Sequence, residues 1–302
     1  MMPYAEFAAA FPWFFPLCAF VFGACIGSFL NVVIYRVPKE ESIVTPGSHC
    51  GCGQPIRWFD NIPMVSWIVL RGRARCCGRA FSFRYPAIEL LTAFLFLVCW
   101  LRFSPAVAVA GWIFVSCLIA ATFIDLDHMI IPDAFTLGLG VVGVLLSVGI
   151  PALHVTPTGY FVVDSLRAGT ASLQGLLVGS GLLLWIALIA EALLKKEAMG
   201  FGDVKFIGAI GAFCGWQGAV FAVFGGAVVG TIWFVFAWGW QKATGRKSVA
   251  APRAETPEGE ETELAFGAHV PFGPMLAIAG GLYFLVFRSA ALAWFADVAL
   301  LF

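Results

Sequence analysis

Residues 200–240 read GFGDVKFIGAIGAFCGWQGAVFAVFGGAVVGTIWFVFAWGW, a long apolar run that opens on one carboxylate and one lysine. A helix rises about 1.5 Å per residue, so residues 203–240 as one helix would extend ~57 Å, nearly twice the ~30 Å hydrocarbon thickness of a bilayer. We therefore predict two membrane helices, at 203–215 and 217–240. The break is expected at the GWQG sequence of residues 215–218.

The composition of the whole chain indicates the same environment. Of its 302 residues, 61% are hydrophobic and 12% are charged, which is more apolar surface than a soluble core could bury. Further apolar runs of spanning length occupy residues 13–35, 87–101, 105–124, 133–150, 171–194 and 271–287. The predicted fold is therefore all-α, a polytopic integral membrane protein with about eight transmembrane helices.

Lysine and arginine are concentrated on one side of this arrangement. Fifteen of the 18 lie in or beside the segments 36–86, 195–205 and 241–270, and the other three are Arg102, Arg167 and Arg288. Because cytoplasmic loops near membrane helices are enriched in both residues, we expect those segments to be cytoplasmic and both termini to lie opposite. The expected partners include membrane lipid and exclude nucleic acid.

A cysteine-containing segment divides the chain. The predicted domains are a first transmembrane helix at 1–35, a small cytoplasmic domain at 36–86 and a transmembrane domain at 87–302. Within the last, residues 241–270 are rich in Pro, Gly, Glu and Lys and lack apolar periodicity, which is typical of a flexible linker.

The 36–86 segment carries four of the nine cysteines in two pairs, Cys50 and Cys52 in HCGC and Cys76 and Cys77 in RCCG. Paired cysteines in a reducing cytoplasm suggest zinc held by four thiolates. The usual spacing is two to four residues, however, and adjacent residues of an extended chain point to opposite faces. Zinc and reduced structural cysteines therefore both remain open, with His49 as an alternative ligand.

Acidic residues are scarce near the predicted spans, and two groups stand out, whereas polar contacts between helices are sufficient to explain Glu89 within the span 87–101. One group is Asp203, and the other is Asp125, Asp127 and Asp133 in FIDLDHMIIPD at residues 123–133. The predicted topology puts both groups at the same membrane face, and ionisable groups at membrane depth usually mark function. Asp203 as a helix N-cap is the competing interpretation, and first-turn capping is expected of Asp133.

Asp125 and Asp127 differ in the direction that they face. Two residues apart on a helix, their side chains point about 200° apart, so only one can meet a partner inside the bundle. Asp125 continues the apolar AATFI sequence and lies deeper. We therefore predict that Asp125 is the partner of Asp203.

Six motifs resemble those of the type IV prepilin peptidases and occur in the same order along the chain. These peptidases are polytopic inner-membrane aspartic proteases. The motifs are GSFLNVVIYR (27–36), NIPMVSW (61–67), RYPAIELLTA (84–93), FIDLDHMIIPD (123–133), GFGDVK (200–205) and PFGP (271–274). The resemblance implies cleavage of type IV prepilins or type II secretion pseudopilins after a glycine, on the cytoplasmic side. It also implies methylation of the new N-terminus with S-adenosylmethionine.

The resemblance assigns roles to individual residues. It implies that Asp125 and Asp203 form the catalytic pair, and it associates methylation with the cysteine segment and with Gly72 and Arg73. Cys52 and Cys77 match the second cysteine of each CxxC of the family, whereas Cys50 and Cys76 are shifted and Ala74 stands at the position of the third cysteine.

Elementary chemistry supports the same pair independently of the family. Two carboxylates held close share a proton, so one acts as base on a water while the other donates to the peptide carbonyl. Gly200 and Gly202 lack Cβ atoms and would let a substrate backbone approach Asp203. PFGP is expected to form the opposite wall.

Three rival functions remain at this stage. An intramembrane protease of the presenilin type would share a GxGD aspartate but would lack the basic cysteine segment. A transporter would also hold carboxylates in its bundle, but it would show inverted repeats, which the sequence does not suggest. A purely structural pilus-assembly protein would need neither aspartate.

Overall fold

The computed structural model describes residues 4–195, 199–244 and 271–300. In these residues the chain forms helices and no strand; only two isolated β-bridges occur, His49 with Pro55 and Arg73 with Ala80. The α-helices are α1 (Tyr4–Ala10), α2 (Phe14–Arg36), α3 (Val65–Val69), α4 (Arg84–Arg102), α5 (Pro105–His128), α6 (Leu139–Gly149), α7 (Phe161–Leu194), α8 (Phe201–Thr244), α9 (Gly273–Leu282) and α10 (Arg288–Ala299). Single π-helical stretches precede α6, at Ala134–Gly138, and join α9 to α10, at Tyr283–Phe287.

The predicted all-α membrane fold is confirmed. Six helical stretches of the described chain are long and apolar enough to cross a bilayer: Phe14–Lys39, Arg84–Arg102, Pro105–His128, Phe161–Leu194, Phe201–Thr244 and Gly273–Val298. A shorter apolar helix covers Ala134–Gly149. The predicted linker at 241–270 lies outside the described residues, apart from the last turn of α8.

Helix α7, the fourth of these six stretches, begins ten residues earlier than predicted, at Phe161 instead of residue 171. Its first turns are polar, and for that reason the apolar run did not include them. Asp164 accepts hydrogen bonds from the backbone N–H and the hydroxyl of Thr158, at 2.8 and 2.7 Å. The carboxylate thereby provides a hydrogen-bond acceptor for two donor groups of the loop that precedes the helix.

Helix α8 reverses its direction at Gly215, as the sequence predicted. Gly215 has φ 73° and ψ 176°, a backbone conformation that side chains disfavour. A Cβ at Gly211 would lie 3.2 Å from the Cβ of Ala219, whereas a straight helix would separate two such residues by ~12 Å along its axis. The two arms of α8 therefore run antiparallel, which makes eight apolar helical segments when the shorter helix is included.

The reversal leaves helix carbonyls without partners, and neighbouring elements bind one of them. The carbonyl oxygen of Ala212 accepts a hydrogen bond from the Ser172 hydroxyl at 2.7 Å, and His154 Nε2 lies 3.0 Å from it. Because a buried unpaired carbonyl is costly in an apolar medium, these contacts stabilise the break.

An aromatic contact between α5 and α8 indicates that the two aspartates lie at the same height along these helices. Phe114 of α5 stacks on Phe213 in the first arm of α8, with ring centroids 4.8 Å apart. Asp125 follows Phe114 by 11 residues, and Asp203 precedes Phe213 by ten. In antiparallel helices both aspartates therefore lie ~15–17 Å from the aromatic pair in the same direction.

Candidate active site and cysteine cluster

Asp125 and Asp203 lie together where α5 ends and α8 begins. Asp125 is in the last turn of α5 and is only 5% exposed. Asp203 is half-buried and follows Gly202, which lies next to Ile131 beside Asp125. Helix α8 begins at Phe201, so Asp203 stands inside its first turn and not at the N-cap position that the competing interpretation required.

The N-terminus of α9 completes this site. The backbone N–H of Gly273 donates a hydrogen bond to the Asp125 carboxyl group. The carboxyl oxygen Oδ2 of Asp125 is buried and has no hydrogen-bond partner in the described parts of the chain. A Cβ at Gly273 would lie 2.5 Å from that Oδ2 atom, so only glycine allows this approach. The PFGP motif thus contacts the aspartate site directly, through a residue that was not among the predicted site residues.

Ile131 lies between the two glycine motifs. A Cβ at Gly273 would be 2.8 Å from Ile131 Cδ1, and a Cβ at Gly202 would be 3.8 Å from Ile131 Cβ. The side chain therefore fills space beside Asp125 and next to the residue that precedes Asp203. Sequence analysis did not single out Ile131, because an apolar residue in FIDLDHMIIPD has no chemical signature.

The other two aspartates of this motif form ion pairs. Arg84 at the start of α4 binds both carboxyl oxygens of Asp127, each at 2.7 Å. Lys205, two residues after Asp203, binds Asp133 Oδ1 at 2.5 Å. Lys205 thereby lowers the pKa of Asp133 below its usual value.

The expected capping role of Asp133 is wrong. Asp133 does occupy the N-cap position of the π-helical stretch, but its side chain makes no capping hydrogen bond to the backbone. Its carboxylate turns instead towards the Lys205 ammonium group, which offers a stronger, charge-assisted hydrogen bond than a backbone N–H. The ion pair connects the FIDLDHMIIPD and GFGDVK motifs.

The space around Gly200 and Gly202 is open. A Cβ at Gly200 would make an ordinary contact of 3.7 Å with Asp203 Oδ2, and the nearest atom to a Cβ at Gly202 would be 3.8 Å away. Packing within the chain therefore does not require glycine at either position. The role of both residues in substrate approach stays a prediction.

All four predicted cysteines of the 36–86 segment come together. Their sulfur atoms lie within 4.8 Å of one another, and the pairs Cys50–Cys77 and Cys52–Cys76 are each 3.5 Å apart. Four thiolates around one zinc at ~2.3 Å would place their sulfurs ~3.8 Å apart. The cluster therefore fits a tetrahedral metal site without a change of fold, and His49 is not one of its members.

Two turns explain how such closely spaced cysteines converge. Gly53 and Gly78 both adopt positive φ, at 84° and 69°. Gly53 N–H donates to the Cys50 carbonyl, and Gly78 N–H donates to that of Ala74, each at 2.8 Å. The second turn redirects the adjacent Cys76 and Cys77 so that both side chains face the cluster, which an extended chain would prevent.

Two thiols of the cluster have pKa values that are shifted in opposite directions. Hydrogen bonds from the backbone N–H of Cys52 and from neighbouring thiols lower the pKa of Cys50 to about 7. Hydrogen bonding to Cys52 and Cys50 raises the pKa of Cys76 to about 12. The thiol group is therefore the stable form of Cys76 at neutral pH, and a bound metal would release its proton.

Gly72 and Arg73 lie beside this cluster. Gly72 has φ 69°, and a Cβ there would lie 3.1 Å from the Trp67 indole. Its carbonyl accepts a 2.7 Å hydrogen bond from the N–H of Phe81. Glycine is therefore required at residue 72 by backbone conformation and by packing, whereas the Arg73 side chain is exposed.

Comparison with known proteins gives two family matches. The family described as the bacterial peptidase A24 N-terminal domain matches residues 21–103, and the type IV leader peptidase family matches residues 112–235. No solved structure matches the chain.

Several curated relatives are similar over most of their length. A Myxococcus xanthus protein is 38% identical over 86% of this chain and 72% of its own. One from Aeromonas salmonicida is 33% identical over 91% and 92%, and one from Klebsiella pneumoniae is 37% identical over 70% and 90%. All three are named prepilin leader peptidase/N-methyltransferase.

Proposed function

Because the chain belongs to the type IV leader peptidase family, we propose that it removes the leader of type IV prepilins or type II secretion pseudopilins and methylates the new N-terminus. The observation that supports the peptidase activity is that Asp125 and Asp203 lie at the adjoining ends of α5 and α8, beside Ile131 and the N-terminus of α9. The methyltransferase part of the proposal is supported by the names of the relatives reported above.

Asp125 and Asp203 are proposed as the catalytic pair. One carboxylate takes a proton from a water molecule, which attacks the scissile carbonyl, while the partner carboxylic acid donates its proton to that carbonyl oxygen. Asp125 Oδ2 has no hydrogen-bond partner within the described chain. The open space at Gly200 and Gly202 supports the approach of an extended substrate backbone to Asp203.

The surrounding ion pairs hold the pair in place. Arg84 fixes the end of α5 through Asp127, two residues after Asp125. Lys205 fixes the loop before α6 to the first turn of α8 through Asp133. Neither pair touches the reacting atoms in this proposal, so both act by positioning the catalytic carboxylates.

Zinc is proposed as a structural ion of the cysteine cluster. Cys50, Cys52, Cys76 and Cys77 would hold it, and the ion would link the two turns of a small domain that has little apolar core of its own. No step of peptide hydrolysis needs this metal, because the aspartates lie on other elements. The domain division at 1–35, 36–86 and 87–302 is part of the same proposal.

The methyl donor is proposed to be S-adenosylmethionine. Gly72 and Arg73 are proposed to serve methylation, and they belong to the cysteine-containing segment. The multi-pass chain is placed in the inner membrane, with this segment and the catalytic pair on the cytoplasmic side.

The catalytic pair is tested by asparagine substitutions. Asp125→Asn and Asp203→Asn should each abolish cleavage of a co-expressed prepilin, because each role needs a carboxyl group that exchanges a proton. The double variant should lose no more than either single one, since residues that act as a unit are not additive. The cleaved fraction is measured by mass spectrometry at equal membrane levels of the enzyme.

Asp127→Asn and Asp133→Asn are the matched controls. Both change an aspartate of the same motif, but they weaken only half-exposed or exposed ion pairs, so a loss below about tenfold is expected. Substantial cleavage by Asp203→Asn would refute its catalytic role. A dead Asp127→Asn with an active Asp125→Asn would show that the partner of Asp203 is misassigned.

A further inference from the structure

A cavity of about 690 Å³ separates the cysteine-containing segment from the membrane helices. Its wall includes Asn31 and Tyr35 of α2, the thiols of Cys50 and Cys76, Trp67 of α3 and Glu89 of α4. This volume lies in the ~300–1,000 Å³ range of small-molecule sites. The cavity is distinct from the aspartate pair, because neither Asp125 nor Asp203 lines it.

Glu89 is the distinctive group in this wall. It is buried, with 8% of the residue exposed, and its Oε2 accepts the Met64 N–H at 2.7 Å. Met64 adopts φ 58° there, so the carboxylate holds the NIPMVSW motif in an uncommon conformation. No lysine or arginine of the described chain forms an ion pair with Glu89.

The second acid that lines the cavity is already neutralised. Asp60 receives two hydrogen bonds from Arg75 Nε and one from its Nη2, at 2.9–3.1 Å. Glu89 is therefore the acid of this wall that lacks a cationic partner in the described chain. A buried carboxylate on a cavity wall without a cation is suited to bind a cationic ligand group.

Two arginines of the wall, Arg57 and Arg73, make no hydrogen bond or ion pair in the described chain, and Arg57 lies over the Phe59 ring. Arg36 donates to the carbonyls of Ser42 and Pro46, and Arg75 binds Asp60. A carboxylate-bearing ligand would satisfy the Arg73 guanidinium.

From these groups we propose that the cavity is the methyl-transfer site, where Glu89 binds the new N-terminal amine of the cleaved chain and Arg73 binds the carboxylate of S-adenosylmethionine. The proposal rests on the methyltransferase activity proposed above. The aromatic faces of Tyr35 and Trp67 offer further contacts to the positively charged sulfonium and to the adenine ring.

The reaction needs a group that handles one proton. An N-terminal amine has a pKa of about 8 and is mostly protonated at neutral pH. Glu89 accepts a proton from the ammonium group, and the nitrogen lone pair then forms the N–CH₃ bond. The S–CH₃ bond breaks with its electron pair on sulfur, which becomes a neutral thioether. Glu89 returns its proton to water.

The position of the cavity suits a substrate that stays in the membrane. Arg84 of α4 binds Asp127 of α5, so the two helices meet at their cytoplasmic ends in the proposed topology. Glu89 lies ~7.5 Å along α4 from Arg84, and Asp125 lies ~3 Å along α5 from Asp127. The cleaved chain can therefore keep its apolar helix in the bilayer while its new amine moves between the sites.

The location is tested first on the wild-type protein in lipid nanodiscs. Ultraviolet cross-linking of S-adenosylmethionine, followed by peptide mapping, should label cavity segments around residues 31–36, 64–76 or 85–89. Labelling confined to other segments would overturn the proposed site. This readout does not depend on methylation activity or on any substitution.

The role of Glu89 is tested with Glu89→Gln, whose amide oxygen can still accept the Met64 N–H. Cleavage should stay within about twofold of wild type and S-adenosylmethionine binding within about threefold, whereas methylation at pH 7 should fall at least tenfold. Raising the pH to 9 should restore much of the methylation, because the amine then needs no proton acceptor. Unchanged methylation at pH 7, or a loss that pH 9 does not relieve, would overturn this role.

Two further variants sharpen the result. Arg73→Gln should weaken S-adenosylmethionine binding about tenfold by equilibrium dialysis, and unchanged binding would refute its contact with the carboxylate. Glu41→Gln removes an exposed acid near the domain that does not line the cavity, so it should behave as wild type. If the wild-type protein leaves the prepilin uncleaved or unmethylated, the proposed function fails, and not the assignment of Glu89.

Discussion

At the level of single residues, the site depends on a glycine that brings a backbone N–H against a carboxyl group of the proposed catalytic pair. The N-terminus of a helix carries partial positive charge and unpaired N–H donors. Gly273 directs one of these donors at Asp125. The contact positions the Asp125 carboxyl group against the N-terminus of α9.

Gly273→Ala should therefore impair catalysis severely. The added Cβ would lie 2.5 Å from Asp125 Oδ2 and 2.8 Å from Ile131 Cδ1, so α9 or the carboxyl group must shift. A displacement of about 1 Å at reacting groups can cost ~100-fold in rate, and we expect a loss of that order in prepilin cleavage in detergent. Gly281→Ala on the same helix is the control, because its Cβ would meet only Leu118 Cδ1 at 3.7 Å. Equal activity of the two variants would contradict the prediction.

Ile131 is expected to limit the residue that precedes the cut. Its side chain fills the space between Gly202 and Gly273 beside the aspartates, so a substrate residue with a side chain would collide with it. Ile131→Ala should allow cleavage of a prepilin with alanine in place of that glycine, at least tenfold faster than wild type. This agrees with the ~10–200-fold discrimination that hydrophobic contacts of this size provide.

The specificity of Ile131→Ala is read from competing substrates. Glycine- and alanine-containing prepilins are mixed, and their cleaved fractions are followed by mass spectrometry. Ile131→Val, a smaller change, should give an intermediate ratio. An unaltered preference in both variants, with the glycine substrate still cleaved, would exclude Ile131 as the selective contact.

The aspartates could be predicted at this level, and their neighbours could not. Asp125 and Asp203 are conspicuous because charge is scarce in an apolar chain, and a helical count separates Asp125 from Asp127. Ile131 and Gly273 carry no such signal. Their importance follows from distances across three helices, which no local pattern contains. Asp133 was misjudged for a related reason, since its partner Lys205 lies 72 residues away.

At the level of elements, the cysteine turns behave as two halves of one binding site. Positive φ at Gly53 and Gly78 brings the shifted cysteines into one cluster. Sequence spacing alone argued against this, because the usual rule assumes two residues between ligands. The second turn brings Cys76 and Cys77 to the cluster although they are adjacent in sequence.

A Cys52→Ser, Cys77→Ser double variant should lose bound metal. Wild-type protein is expected to carry about one equivalent of zinc, measured by atomic emission, and the double variant less than a tenth of that. Cleavage should fall by no more than about threefold, since the aspartates lie on α5 and α8. A Cys18→Ser, Cys25→Ser variant is the control, because both residues lie on α2, away from the cluster. Fully active wild-type protein without metal would remove zinc from this account.

The break within α8 shows what length alone can predict. A 38-residue apolar run exceeds a bilayer, so a reversal was expected near GWQG. The structure places it at Gly215 and adds the cause of its stability, the bonding of the Ala212 carbonyl by Ser172 and His154. Those partners lie on other elements, and their contribution could not be derived from the run itself.

At the level of the whole molecule, contacts between helix ends define two faces. The pairs Arg84–Asp127 and Lys205–Asp133 lie on the face that carries the aspartates. On the opposite face, Arg102 donates to the Leu285 carbonyl and Arg288 to that of Leu153. This agrees with the charge count, which separated Arg102 and Arg288 from the lysine- and arginine-rich loops.

Reporter fusions should therefore alternate along the chain. We expect a fusion after Lys39 and one after Thr244 to report the cytoplasm, and one after Ala152 to report the opposite side. The first two positions share a side because an even number of membrane crossings separates them, and the number is even only if α8 reverses at Gly215. Green fluorescent protein, which fluoresces in the cytoplasm, and alkaline phosphatase, which is active outside it, are placed at each position as complementary readouts. Alkaline phosphatase activity after both Lys39 and Thr244 would invert the whole arrangement. Opposite locations for these two positions would mean that α8 crosses the bilayer only once, and the aspartate pair and the start of α9 would then need a different explanation for their shared face.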